Sequence, residues 1–66
     1  MDKNEVIRRL TEHLRAKEMQ RGFLVAKDKF YCQYYIMDFL NLSVREARRF
    51  IKDYLPALAD LKKWGE

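Results

Sequence analysis

A chain of 66 residues allows one domain with a small core, close to the size at which independent stability becomes marginal. A hydrophobic fraction of 48% with 14% aromatic residues excludes a disordered chain, and a single cysteine, Cys32, excludes an internal disulfide and any cysteine-based zinc cluster. The net charge of +4 favours polyanionic partners without specifying one.

No run of about 18 apolar residues and no signal-peptide pattern is present. The expectation is therefore a cytoplasmic protein with no membrane span. With one histidine and no clustered carboxylates, neither a metal nor another cofactor is expected.

Residues 2–20 read as an amphipathic helix. Asp2 or Asn4 is placed to cap it, Val6, Ile7, Leu10 and Leu14 share one stripe at the helical period, and Gly22 is a stop signal. Arg8, Arg9, Glu12, Arg15 and Glu18 make the opposite face a solvated one with local ion pairs.

Residues 22–31 are ambiguous. Phe23 to Val25 favour an extended segment and Lys27 to Lys29 a turn, so the stretch fits an extended connector, a short hairpin, or a connector ended by Asp28 as the cap of a helix beginning at Lys29. The preferred reading is the connector followed by a helix that starts at about residue 29 or 32 and runs to 40. That helix is apolar nearly all round, with Phe30, Tyr31, Tyr34, Tyr35, Ile36, Met37, Phe39 and Leu40, and needs cover on more than one face. The tyrosines are expected as core or dimer contacts with their hydroxyls at the edge.

Asn41 tolerates the left-handed conformation at a helix end. Ser43 and Glu46 form a Ser-x-x-Glu capping box that starts the next helix. In that helix Val44, Ala47, Ile51, Tyr54 and Leu55 fall on one side, while Arg45, Arg48, Arg49 and Lys52 lie opposite, within about 100° of arc. Pro56 predicts a break near Leu55 and a short terminal helix over about 57–63, with Leu58, Leu61 and Trp64 closing the core.

A helix stop and a helix start within about three residues is the spacing of a helix-turn-helix unit. On the residues Ile36, Leu40, Asn41, Leu42, Ser43, Ala47, Phe50 and Ile51, the chain resembles helix-turn-helix DNA-binding domains of the excisionase-like and small-repressor-like kinds. Asn41 stands where the family usually has Gly, Met37 where a small residue is usual, and Ala47 where a β-branched one is common. The resemblance implies a small DNA-binding protein that acts as a transcriptional regulator or as an accessory factor of recombination or packaging.

The residues themselves add a chemical reason. Arg reaches base edges and phosphates alike through its planar fork of donors, so Arg45 and Arg49, turned furthest from the core, are expected at base edges, and Arg48 and Lys52 at flanking phosphates. Ser43 marks the positive end of the helix dipole, where backbone N–H groups can donate to a phosphate. Lys27 and Lys29 are expected as secondary DNA contacts, at the tip of a wing if 22–31 forms one.

Enzyme readings find little support. His13 sits at the edge of an apolar stripe, Cys32 lies among aromatics, and there is no Gly-rich phosphate loop or carboxylate pair. The expectation is an all-α domain spanning 1–66, of three to four helices with a helix-turn-helix at about 30–55, forming a homodimer and binding double-stranded DNA, with no small-molecule substrate. The alternative is a helical protein-interaction module that does not bind nucleic acid, using the aromatic helix 30–40.

Overall fold

The computed structural model describes residues 2–59, an all-α fold of four helices. α1 spans Lys3–Arg21, α2 Ala26–Leu40, α3 Val44–Tyr54 and α4 Pro56–Ala59. The second helix packs against both α1 and α3, and α4 packs against α3.

Both ends of α1 are fixed by the residues that the sequence marks. Between the two candidate caps the structure selects Asp2, whose carboxylate accepts the Glu5 N–H at 2.8 Å. Gly22 ends the helix at φ 86°, a left-handed conformation that costs glycine nothing, and its N–H donates to the Glu18 carbonyl at 2.6 Å. Val6, Leu10 and Leu14 are buried at the i, i+4, i+8 spacing of one helix side. On the outer face Glu5 accepts from Arg8 at 2.5 Å and Arg9 at 2.9 Å, and Arg8 also reaches Glu12 at 3.2 Å.

The next helix begins earlier than the sequence suggests. Residues 22–31 contain no hairpin: extended backbone is confined to the short connector, with Val25 at φ −124° and ψ 168°, and α2 is already under way at Ala26. Asp28 does cap this helix, but from inside it. Its carboxylate reaches back to the Val25 N–H at 2.9 Å and also accepts from Arg21 at 2.6 Å. A carboxylate in the first turn, held by the last side chain of the preceding helix, moves the start upstream.

The inward side of α2 consists of Asp28, Lys29, Cys32, Gln33 and Ile36. Most of the aromatic residues face elsewhere: Tyr31 and Tyr34 are exposed, and Phe30 and Tyr35 are only partly buried. The expectation of core tyrosines therefore fails for Tyr31 and Tyr34 within a single chain.

Asn41 adopts φ 54° and ψ 47°, the left-handed conformation expected of it, and α3 follows after Leu42 and Ser43. Ala47, Phe50 and Ile51 are buried, and Ala47, with no accessible surface, offers a small side chain at the packed side of α3. Met37 does not stand in the way, being partly buried at the core margin with its sulfur 4.0 Å from Gln33 Nε2. Leu55 breaks the helix at φ −127° and ψ 66°, and Pro56 opens α4 at the first helical position, where its missing donor costs nothing. Leu58 is fully buried; the expected roles of Leu61 and Trp64 lie outside the described residues. A hydrogen bond from Lys3 to the Tyr54 hydroxyl joins the start of α1 to the end of α3.

Candidate nucleic-acid interface

The basic side of α3 rests on a helix fixed at its entry. Ser43 Oγ accepts the Glu46 N–H at 3.2 Å, and the Ser43 N–H donates to Glu46 Oε1 at 3.0 Å. That backbone bond first, and the Ser43 hydroxyl second, hold the Glu46 carboxyl below its ordinary value. This geometry redefines Ser43. Its hydroxyl is committed to the cap, and a carboxylate already occupies the positive helix end that a phosphate would otherwise approach.

Arg45, Arg49 and Lys52 are exposed, on the side of α3 opposite the buried Ala47, Phe50 and Ile51. Arg49 Nε lies 3.4 Å from Asp53 Oδ2 with its side chain 78% exposed, a surface pair of the kind that exchanges readily with water or another anion. Arg48 differs from these three. It is half-buried at the seam with α2, where its Nε donates to the buried Gln33 Oε1 at the long distance of 3.5 Å.

The two lysines expected as secondary contacts part company. Lys27 is exposed in the first turn of α2, roughly 20 Å along the helix axis from the turn that leads into α3, so the chain does not bring it beside the arginines. Lys29 is 1% exposed and faces the core from the first turn of α2. It is no surface cation, and no wing forms around it, because α2 has replaced the hairpin that would have carried it.

Which side of the aromatic helix meets water is not assigned by the sequence. The His13 ring stacks on Tyr31 with centroids 4.3 Å apart and planes 19° from parallel. Tyr31 is followed by Tyr35 at 6.2 Å, and Tyr35 by Phe39 at 4.5 Å. The i, i+4, i+8 spacing of these residues is the available signal, but in a helix apolar all round it does not say which side meets the core. Cys32, on the inward side of the same helix, is buried, and burial first, then the Asp28 carboxylate, push its thiol up to about 12.

No helix among the described residues is long and apolar enough to cross a membrane. The chain matches no family model, and no curated protein or solved structure is significantly similar to it.

Proposed function

We propose that this is a small DNA-binding protein in which α2, the Asn41 turn and α3 act as a helix-turn-helix, serving as a transcriptional regulator or as an accessory factor of recombination or packaging. The observation that carries this reading is the exposure of Arg45, Arg49 and Lys52 together on one side of a capped helix whose other side is core. Arg45 and Arg49 serve base edges, where a planar fork of donors gives bidentate contacts. Lys52 serves a backbone phosphate, and Arg48, drawn toward Gln33, is better placed for a phosphate at the groove margin than for a base.

The test is binding to random-sequence duplex DNA across a salt series. Affinity is expected to fall steeply with salt, K52A to flatten the slope by about 0.9 for the phosphate no longer neutralised, and R49A, which removes a base contact, to weaken binding by about 1–3 kcal/mol. Absence of binding at low salt by the folded protein would leave the second reading, a protein-interaction module without nucleic-acid binding. One observation favours that alternative: Tyr31, Tyr34 and Phe39 are exposed on α2, which a chain acting only through α3 does not require.

A further inference from the structure

The outward side of α2 carries two tyrosines at its middle and one charge near each end. Tyr31 and Tyr34 are 48% and 62% exposed, and from Tyr31 a line of rings runs over the partly buried Tyr35 to Phe39, turning at the helical period away from Tyr34 and toward the azimuth of the buried Cys32. The neighbouring charges on α1 are neutralised among themselves, since Glu5 holds Arg8 and Arg9 while Arg8 also holds Glu12.

The two charges on the outward side itself are Lys27 and Asp38, both exposed. Neither has an ion pair or hydrogen bond among the described residues. Eleven positions separate them in the sequence, which at the helical period is about three full turns, so they stand at nearly the same azimuth roughly 16 Å apart. Tyr31 and Tyr34 straddle the midpoint between them. The order along this side is thus cation, two aromatic rings, anion.

Such a pattern complements itself when a second copy is laid antiparallel across it. A two-fold axis through the midpoint sets Lys27 of each copy against Asp38 of the other and the tyrosines of the two copies against one another, as an isologous contact requires. A parallel pairing would instead set lysine on lysine and aspartate on aspartate. We infer that the chain forms an antiparallel two-fold homodimer through the outward side of α2, with Lys27 and Asp38 fixing its direction and register.

The area sets the strength. An aromatic side chain presents about 150–250 Å² when fully free, so the two exposed tyrosines offer about 200 Å² per copy, well below the roughly 800 Å² per partner of a standard interface. The dimer is accordingly weak and concentration-dependent. It does not depend on α3 meeting DNA.

Sedimentation equilibrium from about 1 μM to 1 mM tests the pairing. The unaltered chain is expected to pass from monomer to dimer within that range. K27E and D38K each place like charges opposite one another twice in the symmetric contact, and each is expected to raise the dissociation constant about tenfold. The double variant K27E/D38K reverses both partners and is expected to return to within about threefold of the unaltered chain. Both positions are exposed, and unchanged circular dichroism would establish that the variants remain folded. A chain that stays monomeric throughout, leaving the rings to a different partner, overturns the inference. So do single variants with unchanged association, or a double variant that does not recover.

Discussion

The guanidinium of Arg21, the last residue of α1, lies 2.6 Å from the carboxylate of Asp28 in the first turn of α2. The same carboxylate accepts the Val25 N–H at 2.9 Å. One side chain thus closes the connector between two helices, and it is itself only 7% exposed.

Removing that carboxylate strands its donors. Asp28→Ala leaves the Val25 N–H and the Arg21 guanidinium without their acceptor, and is expected to lower unfolding free energy by about 2–3 kcal/mol. Arg21→Ala leaves the carboxylate near the core without its cation and is expected to cost a similar amount. Urea denaturation measures both, and a loss below about 0.5 kcal/mol for Asp28→Ala would show that the connector does not depend on this pair.

The turn between α2 and α3 allows two opposite changes. Asn41 holds φ 54°, so Asn41→Gly is expected to leave stability unchanged or raise it by a few tenths of a kcal/mol, and Asn41→Ala to lower it by about 1 kcal/mol. Ser43→Ala removes the acceptor for the Glu46 N–H and is expected to cost about 1 kcal/mol. Thermal unfolding should place the glycine variant above both alanine substitutions.

Acidification acts on three carboxylates whose folded values lie below the ordinary ones. Glu5 is held down by Arg9 and then Arg8, and Glu46 by the Ser43 N–H and then its hydroxyl. For Asp28, burial pushes upward, but the Val25 N–H, the Arg21 guanidinium and nearby His13 outweigh it. A depressed folded value means that the unfolded chain takes up protons first. The stability these groups contribute is therefore complete above the unfolded carboxylate range and is lost as pH falls through the lower folded values. The urea midpoint should be flat from about pH 7 to 5 and fall below about pH 4, with a shallower fall in Asp28→Asn.

Cys32 should be silent while the chain is folded. Its sulfur is buried with no accessible surface and its thiol is pushed up to about 12, so at pH 8 hardly any thiolate exists to attack a disulfide reagent. Labelling in buffer is expected to be at least about 100-fold slower than in concentrated urea, with the rate following the population of open molecules. Rapid labelling of the folded chain would mean that α1 and α2 part readily in the native state.

Much of the fold can be read locally. Gly22, Asn41, the Ser43–Glu46 box and Pro56 each act on the few residues beside them, and the helix ends lie where those residues put them. The start of α2 is not legible, because Asp28 caps from the third helical position only with Arg21 of the preceding helix to hold it. Nor is the orientation of α2: where Lys29 and Gln33 face the core while Tyr31 and Tyr34 face water, apolar periodicity carries no direction. The segregation of Arg45, Arg49 and Lys52 is visible in the helical period, whereas the withdrawal of Arg48 toward Gln33 depends on how α3 lies against α2.

The packing order of the helices has a kinetic consequence. α2 rests on α1 and α3, its neighbours in the chain, and α4 rests on α3, with connectors of a few residues between them. Little loop-closure entropy is lost before these contacts begin to repay it, and a topology of this kind folds in microseconds to milliseconds. The bond between Lys3 and Tyr54, 51 positions apart, closes the longest loop of those described, and it belongs late in folding, after α2 has brought the two ends together.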